Sequence, residues 1–432
     1  MKKYEEIYQR FKNEILEGYR QQGERMPSIR MSVRQFHVSQ TSVERAYAQL
    51  QLEGYIRSFP QRGYYVALTE ENRALHAAMM QLSPVSCQPK IRYDFRSQSI
   101  LAEESELIIW KQYLKHAMND ATISSYGEAR GEYALRVSLM RHASITRGVL
   151  AHEEQMVVGA SVQALLYQAC GLLSDCKKVA IQQHVYLQAR RVFEDYGMEV
   201  FDLPYEDPIL FFQYLTKIHP DIVFVHSPSL FEQTWFDDEA RQALLLYVKE
   251  NNILLIEDDH NGELTYLREK TMALTGMDSS VQALYMGSFS RILLPALRIS
   301  YMILPKNLTK LYQQQLPSYS PSASKLEQLA FAAYIADGHL RRRITRLKRQ
   351  YRFKHARLMT IAEKNGFDCV RVEESFTRYH FSYKGASMPF VHRLQMQGIA
   401  VDAAYEGHIV LSFAALPADQ LEEALTAVIA LR

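Results

Sequence analysis

Four short, unbroken apolar runs constrain the fold most: Val179-Ala180-Ile181, Ile222-Val223-Phe224-Val225, Ile253-Leu254-Leu255-Ile256 and Ala283-Leu284-Tyr285-Met286. Each is bounded by polar or turn residues, and helical stretches such as Ala240 to Asn251 lie between them. Strands that are apolar on both faces must be covered on both, and strands separated by helices pair in parallel. The chain from about residue 93 is therefore expected to be an α/β body around a mostly parallel sheet. Its end returns to helix, strand and helix, which predicts a smaller α+β lobe over about 310–432. With 47% hydrophobic and 23% charged residues in 432, the composition is that of a packed globular chain, not a disordered one.

Charge sets the first residues apart. Residues 1–66 hold 11 Lys and Arg against 7 Asp and Glu, a surplus of four, while the whole chain carries only +2. A small basic module on a slightly acidic body is the asymmetry of a chain that meets a polyanion at one end. Within the module, Tyr4, Ile7, Phe11, Ile15 and Tyr19 fall at helical spacing. Pro27-Ser28 starts a second helix with Ile29, Val33 and Phe36 inward, and His37-Val38 makes a turn. Ser39 is the N-cap of a third helix that buries Val43, Ala46, Tyr47 and Leu50 and stops near Glu53-Gly54. Two strands follow, 55–57 and 64–66, around the tip Gln61-Arg62-Gly63. This is a winged helix-turn-helix over 1–68. A linker over 69–92, helix-like from Glu70 to Leu82 and then rich in Pro and Ser, joins it to the body over 93–432.

A helix-turn-helix lays its second helix in the major groove of duplex DNA, with the helix N-terminus nearest the base edges. The candidate contacts are Ser39, Gln40, Thr41, Ser42 and Arg45 on that helix, Arg30 and Arg34 near the phosphates, and Arg62 and Gly63 on the wing. Four cysteines (Cys87, Cys170, Cys176, Cys369) without CxxC spacing suggest neither a disulfide framework nor a metal site. The N-terminus has no apolar leader, and no apolar run reaches the roughly 18–20 residues of a bilayer span, so a cytoplasmic protein is expected.

Met26-Pro27-Ser28-Ile29-Arg30, Val38-Ser39-Gln40-Thr41-Ser42-Val43 and Leu52-Glu53-Gly54-Tyr55-Ile56 resemble the GntR family of bacterial transcription regulators. The family often has an acidic residue at Ile29 and a basic one at Gln40, so an operator sequence does not transfer. The body resembles fold-type-I aminotransferases, and the combination resembles the MocR subgroup. The subgroup's "Y…G…LR" element is similar to Tyr126-Gly127…Leu135-Arg136. Arg147-Gly148-Val149 leads to Gly159-Ala160-Ser161-Val162, similar to the strand-to-helix turn that cradles the phosphate of pyridoxal phosphate (PLP). Ile256-Glu257-Asp258-Asp259-His260 resembles the segment whose aspartate, Asp258 here, pairs with the pyridine nitrogen. His260 stands where a tyrosine usually bonds the phenolate oxygen, and Tyr186 where an aromatic stacks on the ring.

The resemblance breaks at the reacting group. Gly287-Ser288-Phe289-Ser290-Arg291…Pro295-Ala296-Leu297-Arg298-Ile299-Ser300-Tyr301 is similar to the family's G-[ST]-F-S-K…P-x-L-R-I-G-Y, with Arg291 in the lysine's place. Covalent attachment of PLP needs a neutral primary amine, which a guanidinium does not become in a protein. Leu230 replaces a polar residue of the subgroup's T-P-x-H-Q, and Val410 replaces the arginine that clamps a substrate carboxylate. Ser161, Val162, Ser288 and Arg298 remain as phosphate partners.

These residues predict a DNA-binding transcription regulator, a homodimer on a double-stranded operator, whose body is a non-catalytic effector-binding domain. The ligand expected is PLP held non-covalently or another small anion. The alternatives are a PLP sensor or enzyme with a non-standard amine, and a ligand-free dimerisation scaffold. Arg291 either faces an anion or pairs with Asp258 in a collapsed site. The basic run Arg341-Arg342-Arg343…Arg346…Lys348-Arg349…Arg352…Lys354 is expected to be solvated or ion-paired rather than bound to DNA.

Overall fold

The computed structural model describes residues 3–69, 72, 91–118, 124–183, 187–383, 387–402 and 407–432. The chain divides into two compact units, Met1–Gln88 and Pro89–Arg432. The expected linker helix lies almost wholly outside the described residues. No helix among the described residues is long and apolar enough to cross a membrane.

In the first unit, α1 (Lys3–Leu16) buries Ile7, Phe11 and Ile15. Tyr19 is not part of that stripe, because the helix stops at Leu16 and the chain turns through Gly18 at φ +81°, leaving Tyr19 77% exposed. Helix α2 (Ile29–Phe36) is capped by Ser28, whose hydroxyl accepts from the Met31 amide at 3.2 Å. Its apolar residues Ile29, Val33 and Phe36 are only partly buried against the core, and the residue fully enclosed is Ser32. That polar group is tolerated because it bonds the Tyr47 hydroxyl at 3.1 Å, which in turn donates to the Pro27 carbonyl at 2.7 Å. His37, left-handed at φ +52°, turns the chain into α3 (Gln40–Leu52), which buries Val43, Ala46, Tyr47 and Leu50. The wing is an antiparallel pair, β1 (Ile56–Phe59) and β2 (Gly63–Val66), with Ile56 opposite Val66. The strands run closer to the tip than the sequence predicts, leaving Pro60, Gln61 and Arg62 as the loop. Gly63 at φ +96° takes a conformation that L side chains avoid.

The second unit opens on β3 (Tyr93–Asp94). A seven-stranded sheet follows: β4 (Met156–Gly159), β5 (Lys178–Gln182), β6 (Glu199–Leu203), β7 (Ile222–His226), β8 (Leu254–Asp258), β9 (Ala283–Ser288) and β10 (Ser300–Ile303). Their spatial order is β4-β10-β9-β8-β7-β5-β6, and only β10 runs against its neighbours. The four apolar runs read from the sequence are thus the parallel strands β5, β7, β8 and β9. Alternation along them feeds two cores. Phe224, Ile256 and Met286 pack on one face with the helix Val162–Cys170. Val223, Val225 and Leu255 pack on the other with the helix Asp238–Glu250.

A smaller antiparallel sheet comprises β11 (Cys369–Glu373), β12 (Arg378–Ser382) and β14 (His408–Leu411), while β13 (Ile399–Ala400) pairs with β3. The helix Lys306–Gln315 places Leu308 and Tyr312 in the core of the large sheet, so it does not belong to the C-terminal lobe expected from about 310. The basic run lies on the helix His339–Lys364 and is largely internal or paired. Arg343 donates to Glu103 at 2.7 Å, Arg346 pairs with Glu103 and Glu106, and Arg352 donates to the Tyr266 carbonyl at 3.0 Å.

One buried ion pair ties the body together. Arg147, 1% exposed at the end of the helix Tyr133–Arg147, donates to both oxygens of Asp259, at 2.5 and 2.9 Å, and to the Thr271 carbonyl. Asp259 also accepts from Tyr285 on β9 at 2.6 Å and from Ser227 after β7 at 3.2 Å. Burial opposes the charge on Arg147, but Asp259 holds its pKa above the ordinary value. Gly262 has no alternative, since a Cβ there would come within 2.0 Å of the Asp259 carboxylate. Removing one partner of such a pair strands a buried charge, at a cost of about 3–5 kcal/mol. Arg147→Met is expected to lower the unfolding free energy, measured by urea denaturation, by that amount. Arg92→Ala, which breaks an exposed pair with Glu423, should shift it by about 0–1 kcal/mol.

Candidate functional site

The exposed face of α3 begins at its capped end. The Ser39 hydroxyl accepts from the Ser42 amide at 3.3 Å and lies 2.9 Å from the Ser42 hydroxyl, so these two expected contact residues also build the cap. Gln40, Thr41, Glu44 and Arg45 are exposed, as alternation with the buried positions requires. Gln40 donates to Glu44 at 2.7 Å. The Arg45 guanidinium lies over the Tyr4 ring at 4.8 Å, which restrains its reach. Arg30, Arg34 and Arg62 are exposed and form no ion pair among the described residues.

In the body, the sheet register assembles the other candidates at the carboxyl ends of the parallel strands. His226 ends β7 opposite Asp258, which ends β8 opposite Met286. Ser300 on β10 lies between Gly159, at the end of β4, and Ser288, at the end of β9. In open α/β sheets this edge is where ligands bind. Ser161 caps the helix Val162–Cys170 by accepting from the Ala164 amide at 3.1 Å, which leaves the first-turn amides of Val162 and Gln163 without an intrahelical partner. A Cβ on Gly159 would lie 2.7 Å from Leu165 and 3.2 Å from the Ser322 hydroxyl, so the backbone is close-packed against this turn. Ser322 also accepts from the Ala160 amide. The Ser288 hydroxyl accepts from Ser300 at 3.1 Å and lies 3.4 Å from Ser290. Arg298 is exposed and left-handed at φ +48°. Tyr186 lies outside the described residues.

Three consecutive carboxyls at the end of β8 have separate roles because a strand alternates its side chains. Glu257 and Asp259 share one face. Glu257 accepts from the amides of Leu274 and Thr275, and Asp259 holds Arg147. Asp258 points to the other face, 2% exposed, and accepts from the His260 amide at 3.0 Å. Burial raises Asp258 to about 7, helped by the neighbouring Asp259 and Glu257 and opposed by the His260 amide. Burial lowers His226 to about 4, and burial with His226 and Arg291 lowers His260 to about 3, so both imidazoles are neutral near pH 7. His226 is held between the His260 carbonyl at 2.9 Å and the Phe376 ring at 4.7 Å.

Arg291 does not pair with Asp258. Its guanidinium donates to the Ser97 carbonyl and, at 2.5 Å, to the Thr377 hydroxyl. Thr377 is a β-branched residue at φ +51°, held there by Arg291 and by Ser412 at 3.0 Å. The guanidinium thus bridges the segment before the helix Glu104–Met118 to the turn that leads into β12. Burial lowers the Arg291 pKa, and Arg378 adds to the effect. Arg378 itself was not legible as a site residue. On β12 it shares a face with Val410 of β14, since His380 pairs with Val410 and Arg378 lies two positions on. Its Nε donates to the Ser97 hydroxyl at 3.3 Å and its guanidinium stacks on Phe376 at 4.8 Å. Only cross-strand register reveals that an arginine adjoins the position that Val410 leaves apolar.

The donor set fits PLP in part. Asp258, the helix amides, Ser161 and Ser288 suit its ring nitrogen and phosphate, and the close-packed Gly159 shapes a cradle. The guanidinium at 291 does not fit covalent attachment.

Comparisons with known proteins agree with this geometry. Residues 97–428 match the family Aminotransferase class I and II, and residues 3–66 match Bacterial regulatory proteins, gntR family. The chain is 30% identical over 375 residues to the HTH-type transcriptional regulator YdeL of Bacillus subtilis, covering 85% of this chain and 81% of that one. It is 25% identical over 395 residues to the probable rhizopine catabolism regulatory protein MocR of Rhizobium meliloti, covering 86% and 79%. Among solved structures, an archaeal alanine:glyoxylate aminotransferase superposes with a TM-score of 0.67 at 17% identity, covering 83% of this chain and 93% of that one. That likeness speaks for the fold alone.

The raised pKa of Asp258 has a measurable consequence. Between its ordinary value of 3.8 and about 7, the folded state holds a proton that the unfolded state has released. Stability from this group therefore falls as pH rises through that window and is constant above it. Asp258→Asn removes the titration and keeps an acceptor for the His260 amide. Its melting temperature relative to the unsubstituted protein is expected to rise from pH 4 to 7 and then level off, as measured by thermal melts at each pH.

Proposed function

Because the chain belongs to the MocR-type subgroup of the gntR regulators, DNA-binding transcription regulators with an aminotransferase-like domain, we propose that its body senses a small anion without catalysis. The reading divides the chain into a DNA-binding module over 1–68, a linker over 69–92 and a body over 93–432 that pairs with a second copy. Two modules on one dimer then meet two operator half-sites.

The observation that carries the non-catalytic reading is Arg291. Its guanidinium stands just past β9, engaged with the Ser97 carbonyl and the Thr377 hydroxyl. It offers no amine for covalent attachment, and Val410 offers no clamp for a substrate carboxylate. What remains suits an anion held by hydrogen bonds. Ser161, Ser288 and the amides of Val162 and Gln163 would hold a phosphate, with Asp258 beneath a ring nitrogen and His260 beside it. When bound, PLP supplies an electron sink, but here the chain's own residues only bind and orient. Arg298 would join them by turning inward from its exposed position.

Arg291→Lys restores an amine while keeping a positive charge. With excess PLP the variant is expected to turn yellow and to yield a borohydride-reducible adduct by mass spectrometry, whereas the unsubstituted protein does neither. An adduct in the unsubstituted protein would favour the alternative, a PLP sensor or enzyme using another amine. A colourless variant, with no thermal shift of the parent by phosphate ligands, would reduce the body to a scaffold.

The DNA-binding surface makes a separate prediction. Arg30→Ala and Arg34→Ala, if these arginines meet phosphates, should each weaken operator binding and reduce the slope of log K against log salt by about one. Thr41→Ala should instead act mainly at one base pair, by roughly 1–3 kcal/mol if it reads a base edge. Fluorescence anisotropy on a footprinted upstream fragment at several salt concentrations measures both effects.

A further inference from the structure

The helix His339–Lys364 brings a second buried cation close to Arg291. Lys354 is 3% exposed and Arg291 9%, and both line one small cavity together with Arg343, Glu103, Gln350 and Tyr351. The wall thus holds three cations and one carboxylate. Glu103 is already saturated, accepting from Arg343 and Gln350 at 2.7 Å each and pairing with Arg346 at 3.5 Å. Among the described residues, Arg291 and Lys354 have no carboxylate partner. Arg291 uses its two terminal nitrogens on a carbonyl and a hydroxyl, and its Nε is buried with no hydrogen bond. Lys354 donates to the Phe413 carbonyl at 3.4 Å and lies over the Tyr351 and Phe413 rings at 5.9 and 6.0 Å.

Buried charges without partners are destabilising by several kcal/mol each, so native proteins pair them. Here Arg291 feels Asp402 and Lys354 feels Glu103 only from beyond contact distance. We propose that this cavity is a halide site, a seat for one chloride-sized monovalent anion held between Arg291 and Lys354. The size argues for a single atom. The cavity measures about 10 Å³, room for the centre of one water-sized particle, which suits a monatomic ion better than a phosphate or a carboxylate. The charge argues against water, which brings no negative charge to two cations that contact no carboxylate, and against a metal cation, which would add to them. Burial depresses Lys354 to about 8, with Glu103 opposing and Arg343 reinforcing the shift. The amine therefore remains mostly cationic near pH 7, as an anion seat requires. A bound halide would steady Arg291, and through it the contacts with Ser97 and Thr377 that join the two parts of the body. It is distinct from the phosphate cradle at Ser161 and Ser288 and does not depend on the proposed sensing role.

The test uses the full-length protein, exchanged into sodium gluconate and titrated with sodium bromide at constant ionic strength. Gluconate is too large for the cavity. The expected result is a saturable rise in melting temperature of roughly 2–4 °C, absent in Lys354→Met, together with an anomalous bromide peak in the cavity of crystals grown with bromide. No saturable shift relative to gluconate, or a shift retained in Lys354→Met, would overturn the proposal. If Lys354→Met does not fold, the crystals of the unsubstituted protein decide: a water without anomalous signal in the cavity, or bromide only at the surface, rejects the halide site. A shift produced equally by sodium formate, without a bromide peak, also rejects it and indicates that the cavity opens to a carboxylate.

Discussion

The pairing of Arg147 with Asp259 is the constraint on which the body's ligand-facing edge depends. A guanidinium is wide, charged and rich in donors, and burying one demands a carboxylate in a fixed orientation. Asp259 meets that demand from the end of β8, and the same carboxylate accepts from Tyr285 and Ser227. One group thereby fixes the helix Tyr133–Arg147 against the ends of three adjacent strands. The pleat does the rest: with Asp259 turned to Arg147, Asp258 must face the opposite side. The face that Asp258 takes is selected by its neighbour's structural duty.

The same logic explains why Arg291 changes more than the identity of one side chain. The arginine reaches Ser97 and Thr377 and becomes a strut between the N-terminal part of the body and β12. The side chain at position 291 thereby serves the architecture of the body. Arg378, beside the apolar Val410, adds a second guanidinium against Ser97. Its charge is partly balanced by Glu373, 3.5 Å away on the neighbouring strand.

Much of this was legible from residue order. The buried face of α3 follows from helical periodicity and its start from Ser39, while the parallel strands follow from unbroken apolar runs. Tyr19 was misread because helical spacing says nothing about where a helix ends, and Gly18 ends this one. The helix Lys306–Gln315, which straddles the lobe boundary expected at about 310, packs Leu308 and Tyr312 on the large sheet, and residue order does not say which core such a helix faces. Arg378 and Ser322 escaped notice because nothing in their local sequence points to a site.

By itself, the sequence determined the two-part plan, the capped third helix, the strand set and the absence of an amine at position 291, since each rests on local periodicity, capping chemistry or residue identity. Only the tertiary structure decided where the charges go. Whether Arg291 meets Asp258 or Thr377, whether Arg343 is solvated or joined to Glu103, and which carboxyl holds Arg147 are questions of strand register and lobe packing. Residues up to 240 positions apart, such as Arg343 and Glu103, settle them. The physical reason is that burial, not sequence, fixes the cost of an unpaired charge, and burial exists only once the lobes have closed around it.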